Sequence, residues 1–131
     1  MTTLIDTNVA IHLRDGDAAI KARIGALVSP PALSVVTWIE LEGGINAVPA
    51  FARKRRAAVD ALLDVLDILD FDSACAAAYG RIVAAAGYSR PKVIDRMIAA
   101  TALVHGLTLI TVNGRDFRDV PGLELNVWRV P

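Results

Sequence analysis

Leu4-Ile5-Asp6-Thr7-Asn8, continuing into Val9-Ala10-Ile11-His12-Leu13, is the stretch whose reading decides the fold. Residues 2–5 are apolar and β-branched, as a strand requires, and from Val9 the apolar spacing turns helical. Asp6 is therefore expected where a first strand ends and a first helix begins. In an open α/β sheet the carboxyl ends of the strands form the edge at which ligands bind. A plainer role is also open to Asp6 or Thr7, because either side chain can cap the helix by accepting from its first N–H groups. The positions of the other acids bear on the choice.

Beyond this stretch the chain alternates between strand and helix signals. Residues 18–28 read as a second helix, ended by Ser29-Pro30-Pro31, and residues 33–36 as a short β-branched strand. Thr37 then opens a third helix that closes near Gly43-Gly44. A fourth is expected over 50–66, with Ala57, Ala61, Leu62 and Val65 at helical spacing. A short strand follows at 67–71, and an alanine-rich helix at 73–86 is stopped by Gly87. Pro91 suits the first turn of the next helix, which runs to about His105 and stops at Gly106. Residues 107–112 are the most strand-like of the chain, and 123–127 alternate as an edge strand. No repeat or linker intervenes. The expectation is one α/β domain over 1–131, with a central, mostly parallel sheet flanked by helices.

Composition bounds the function. The apolar fraction is 54% of 131 residues, but 22 of those are alanine, which favours helix without supplying bulky core. No run approaches the length of a spanning helix, and no basic segment precedes an apolar one as in a signal peptide. A single cysteine, Cys75, cannot form an internal disulfide, which fits a reducing cytoplasm. Its alanine-rich surroundings mark it as a small buried hydrophobe. The formal net charge is zero, so the whole surface is not built to grip nucleic acid, although a local basic patch is allowed. Arg53-Lys54-Arg55-Arg56 is such a run, readable as a solvated helix turn or as a phosphate contact.

Three further acids fall where Asp6 does. Thr37-x-x-Glu40 has the form of a capping box, with Glu40 reaching back to the Thr37 N–H. Glu40 also follows a strand, and so lands at the same edge; Glu42 points elsewhere on the helix. Asp95 shares a helix face with Ile98, Ala99 and Ala102, on a helix that is apolar nearly all round. A carboxylate there needs a partner, which a first-turn dipole, Lys92, Arg96 or a bound group could supply. Asp116 arrives just past the best strand, after Asn113-Gly114. Carboxylates brought together repel unless a cation sits among them. Oxygen donors with no Cys or His pattern point to Mg²⁺ or Mn²⁺, and Mg²⁺ characteristically binds through a few carboxylates plus substrate phosphate.

Four segments in order resemble the PIN-domain ribonucleases, in particular the VapC-type toxins of bacterial type II toxin–antitoxin modules. They are Leu4-Ile5-Asp6-Thr7-Asn8, Ser34-Val35-Val36-Thr37-x-x-Glu40-Leu41-x-x-Gly44, Asp95-x-x-Ile98-Ala99-Ala100-Thr101-Ala102 and Leu109-Ile110-Thr111-x-Asn113-x-x-Asp116-Phe117. The resemblance spans essentially the whole chain. It implies a PIN-like fold and metal-dependent endoribonuclease activity with Mg²⁺ or Mn²⁺. A cognate antitoxin partner and a homodimer are implied as well. By the same resemblance Asp6, Glu40 and Asp95 fall on the acidic metal-site positions, with Thr7 and Asn8 as supporting polar residues. Where many members carry an acid, this chain has Asn113, so Asp116 is the candidate for the fourth carboxylate.

The reading carried forward is a cytoplasmic endoribonuclease in which Asp6, Glu40, Asp95 and Asp116 are catalytic and Asp6 and Asp95 bind metal directly. Thr7, Asn8 and Asn113 support the acids, and Arg96 and Arg115 are candidate phosphate contacts. A haloacid-dehalogenase-type phosphotransferase would ordinarily show Asp-x-Asp, whereas position 8 is Asn. A non-catalytic RNA-binding module would favour bases over a set of acids.

Overall fold

Thr3–Ile5 forms β1, the central strand of a sheet of five parallel strands in the order β3-β2-β1-β4-β5. The others are β2 (Ala32–Ser34), β3 (Ile68–Leu69), β4 (Thr108–Thr111) and β5 (Leu125–Val127). Six α-helices connect them: α1 (Thr7–Arg14), α2 (Ala18–Gly25), α3 (Val35–Ile45), α4 (Ala52–Val65), α5 (Ser73–Ala86) and α6 (Val93–His105). Short 3₁₀ turns occupy Pro49–Phe51, Arg90–Lys92 and Gly114–Phe117. This computed structural model describes residues 2–129; residues 1, 130 and 131, the ends of the expected domain, lie outside the described residues. No helix among the described residues is long and apolar enough to cross a membrane.

Side-chain alternation in the strands splits the core into two halves. Leu4, Ala32 and Leu109 pair across the sheet and face α5 and α6, meeting Ala78, Ile82, Ile98 and Ala102. Their successors Ile5, Leu33 and Ile110 face the opposite side and meet Val9, Leu41, Val59 and Trp128. A strand buried on both faces reads as a continuous apolar run, which is why these strands are so short and so legible. Cys75 is a buried member of the fold, and burial raises its thiol pKa.

Several elements are shorter than expected, and Pro91 lies in the 3₁₀ turn before α6 rather than in its first turn; the departure that matters for the site is at the β2–α3 junction. The β-branched run over 33–36 is not all strand: β2 ends at Ser34, and α3 begins at Val35. Ser34 is the N-cap, its hydroxyl accepting from the Val36 N–H at 3.1 Å. The expected capping box at Thr37 therefore does not exist. Thr37 lies inside the helix, fully buried, and its hydroxyl bonds Thr7 at 3.1 Å. Val35 and Val36 have only a mild helix penalty, which a good cap and a buried face exceed.

Topology then places the site. From β1 the chain goes to β2 on one side and, later, to β4 on the other, so the crevice beyond the carboxyl ends of β1 and β4 is a topological switch point. Asp6 follows β1, Asn113 and Asp116 follow β4, and α3 springs from β2 at the same edge. Because α6 ends at Gly106 and leads directly into β4, its first turn, with Asp95, also lies at that edge. Gly106 adopts φ +64, the left-handed conformation that lets α6 stop and turn into the strand.

Candidate active site

Asp6 is 2% exposed and uses both oxygens. Oδ1 accepts from the Val9 N–H at 2.9 Å, capping α1, and Oδ2 accepts from the Thr111 hydroxyl at 2.5 Å. The capping role and the strand-end position thus coexist in one side chain. Burial raises the pKa of this carboxyl, the two hydrogen bonds oppose that, and the charge of Asp116 adds to it. Thr111 in turn accepts from the Asn113 N–H at 3.0 Å, so one hydroxyl ties the end of β4 to the acid at the end of β1.

Asp95 is half-buried and its pKa is pushed up to about 6, first by desolvation and then by the charges of Asp116, Asp6 and Glu40. The charges of the other three acids named from the sequence thus all bear on Asp95. Neither expected partner neutralises Asp95. Lys92 and Arg96 both bond Asp119, at 3.2 and 3.1 Å, although Lys92 still lowers the Asp95 pKa slightly. Glu40 is exposed in the middle of α3 and Asp116 is partly exposed in the 3₁₀ turn after β4. The Asn113 side-chain amide donates to Asp116 Oδ2 at 2.8 Å and so holds that carboxylate in place. Thr7 joins α1 to α3 through Thr37, and Asn8 is exposed beside it.

Two other expectations divide. Arg115 is exposed next to Asp116. Arg96, by contrast, is 2% exposed; its guanidinium bonds the Gly87 carbonyl and Asp119. It is a buried strut between α6 and two loops, and no phosphate contact is open to it. Consecutive helix residues point about 100° apart, which carries Arg96 away from the edge that Asp95 faces. Glu42 is likewise outside the group: Arg56 binds both its oxygens, at 2.8 and 2.7 Å, and holds its carboxyl down at about 2. The residue that sequence reading missed is Thr111. Its only signal was a hydroxyl at the last position of a strong strand, where β-branching alone accounts for a threonine.

Among the described residues no three Asp, Glu, His or Cys side chains form a ready-made metal cage. The donor set nevertheless suits a hard cation that keeps most of its water. Such an ion needs only one or two direct carboxylates, with others reaching it through water. Asp95, whose charge is disfavoured by burial and by three like charges, is a group that a cation would stabilise.

An acid-lined switch point on a parallel sheet is the setting in which the comparisons with known proteins fall. A model of the PIN domain family matches residues 3–123. The tRNA(fMet)-specific endonuclease VapC of Shigella flexneri is 31% identical over 128 residues, covering 95% of this chain and 96% of that protein. Among solved structures, DNA-bound VapBC from Salmonella typhimurium superposes with a TM-score of 0.86 at 28% identity, over 98% of both chains. VapBC-5 from Mycobacterium tuberculosis, of the VapBC family of toxin–antitoxin systems, gives 0.68 at 28% identity, again over 98% of both. The chain belongs to the PIN-domain family, within its VapC-type ribonucleases. Nucleases of this family use divalent metal ions.

Proposed function

We propose that this chain is the toxin of a toxin–antitoxin pair, hydrolysing RNA phosphodiester bonds with Mg²⁺ or Mn²⁺ at the Asp6–Glu40–Asp95–Asp116 edge. The observation that carries the reading is Asp95, a half-buried carboxyl raised to about 6 in part by the other three acids. Asp6 and Asp95, the more buried pair, would hold the ion directly. When bound, the ion neutralises charge on the scissile phosphate and makes water at the site a better nucleophile. Glu40, exposed and without a hydrogen-bond partner among the described residues, would orient that water. Asp116 completes the set, with Asn113 fixing its carboxylate and Thr111 fixing that of Asp6. Arg115, beside them, would contact substrate phosphate.

The solved relatives are VapBC pairs, and the reading extends a cognate antitoxin to this chain. It also includes a homodimer. Ile39 remains 65% exposed on α3, next to Val35 and Trp38, an apolar strip that a second copy would cover. A reducing cytoplasm suits the single free cysteine. Purified protein should cleave single-stranded RNA when Mg²⁺ or Mn²⁺ is added and stop in EDTA. Asp6→Asn and Asp95→Asn should each abolish cleavage while the far-ultraviolet circular dichroism stays unchanged. Undiminished cleavage in EDTA, or in either variant, would overturn the reading.

A further inference from the structure

The basic run at the start of α4 is not explained by the fold. Arg53, Lys54, Arg55 and Arg56 occupy the first turns of a helix that has no side-chain cap and no acid there, where the macrodipole disfavours cations. Two of the four are compensated. Arg56 pairs with Glu42 and Asp60, both at 2.7 Å. Arg55 donates to the Gly44 carbonyl at 2.8 Å and lies 5.5 Å from the centroid of the Phe51 ring. Arg53 and Lys54 have no carboxylate partner among the described residues. Lys54 lines a cleft of about 200 Å³ with Arg14, Asp15, Phe51 and Arg55, in which Asp15 is already bound by Arg14 at 2.9 Å, and Arg53 is exposed one position before it, outside the lining. Phe51 is 51% exposed, so one side of its ring meets Arg55 and the rest is open.

The cleft has a definite relation to the acids. Thr7 and Thr37 join α1 and α3 near their first turns. Seven residues further along each helix, Arg14 lies so close to Gly44 that a Cβ there would meet its guanidinium at 3.2 Å. The two helices therefore run side by side, and at 1.5 Å per residue Arg14, on the rim of the cleft, lies about 10 Å along α1 from Thr7, the residue after Asp6.

Resting on the ribonuclease reading, we infer that this cleft is a second contact for the RNA strand, outside the acid edge. Lys54 in the cleft and Arg53 exposed beside it would hold phosphates, and Phe51, backed by Arg55, would stack a base. Exposed cations beside a half-open aromatic ring are the combination that binds single strands with little regard to sequence, and a short stretch of strand bridges the two places. An acidic protein would use the cations but leave the aromatic face without a purpose.

The test uses the whole protein and two RNA probes: a fluorescein-labelled mixed-sequence single strand long enough to span both places, and a dinucleotide. Arg53→Gln/Lys54→Gln should weaken anisotropy-measured binding of the long strand in EDTA roughly tenfold and flatten the salt dependence by about two in slope. Phe51→Ala should weaken binding and leave that slope unchanged. In cleavage assays with Mn²⁺ the same variants should raise KM for the long strand, keep kcat, and leave dinucleotide cleavage untouched. Long-strand affinity and slope unaltered in the double variant would overturn the inference, as would affinity lost for poly-glutamate but kept for RNA. A protein that binds the long strand through these residues yet never cuts it would keep this contact and remove the nuclease reading instead.

Discussion

Thr111 concentrates at one oxygen the connection between the two central strand ends, donating to Asp6 and accepting from the Asn113 N–H. Removing it leaves a 2%-exposed carboxylate with one fewer donor and a backbone N–H unmatched. Thr111→Val should therefore lower stability by about 1–2 kcal/mol, and cleavage by roughly tenfold, as loss of a supporting hydrogen bond does at metal sites. Thr111→Ser keeps the oxygen and should restore both; a serine variant as poor as valine would mean that packing, not the hydrogen bonds, is what matters. Asp95 makes the second residue-scale argument. Its folded pKa of about 6 lies above the ordinary 3.8, so between those values the folded state binds more protons than the unfolded one. Stability accordingly falls as pH rises through that window, and the penalty is complete above it. Half-exposed as Asp95 is, solvent screening reduces the penalty to about 1 kcal/mol, or about 3 °C in melting temperature. In chelator at neutral pH, Asp95→Asn should thus melt higher than the parent by that amount, and the difference should shrink as pH falls through that window and vanish once pH is well below 3.8. A lower melting temperature at neutral pH would make Asp95 a structural partner.

Element boundaries divide according to where the decisive contact lies. α5 was readable to the residue, because Asp72 caps it locally by accepting from the Cys75 N–H at 3.0 Å and Gly87 ends it with φ +85. The central strands were readable because burial on both faces leaves an uninterrupted apolar run. The β2–α3 junction was not, because Ser34 sits within a β-branched run whose strand propensity conceals a three-residue strand and a cap. Thr37 and Glu40 happened to have capping-box spacing, although Thr37 is committed to Thr7, thirty positions away. Similarly, Arg96 was the charge next to Asp95 in sequence, while its partners at Gly87 and Asp119 are set by loops that no helical pattern encodes. The strand-end or first-turn positions of Asp6, Asp95 and Asp116 were legible in the sequence, whereas Glu40, read as following a strand, falls in the middle of α3 because that helix begins two residues before Thr37. The hydroxyls and amides that hold the acids were not legible. A paired measurement checks the junction. Ser34→Ala should cost about 1 kcal/mol as a lost cap, whereas Glu40→Gln, on an exposed side chain, should change stability by less than about 0.5 kcal/mol. The reverse order would restore the capping box.

At the scale of the whole molecule, zero net charge hides a segregation: Asp6, Asp95 and Asp116 lie beyond the carboxyl ends of β1 and β4, while Arg53 and Lys54, without a carboxylate partner among the described residues, stand at the start of α4. On the proposed reading the acid edge works against the fold while it has no counter-ion, so metal binding there would be linked to folding. A ligand bound only by the folded state at a hundredfold excess over its Kd stabilises by about 2.7 kcal/mol, which for a chain of this size is about 8 °C. Mn²⁺ should raise the melting temperature of the parent by that order, while Asp95→Asn, which on the proposed reading removes a ligand, should gain little. Combined with the opposite effect in chelator, this gives a crossing: Asp95→Asn melts above the parent in EDTA and below it in saturating Mn²⁺. Neither a general salt effect nor a purely structural acid produces that reversal. Salt would raise both proteins together, and a structural Asp95 would leave the variant lower under both conditions. Asp60→Asn, on the outer face of α4 with its carboxylate on Arg56, serves as the comparison. It should track the parent through the Mn²⁺ titration, and if it loses the Mn²⁺ response as Asp95→Asn does, the ion is binding somewhere other than the edge formed by Asp6, Glu40, Asp95 and Asp116.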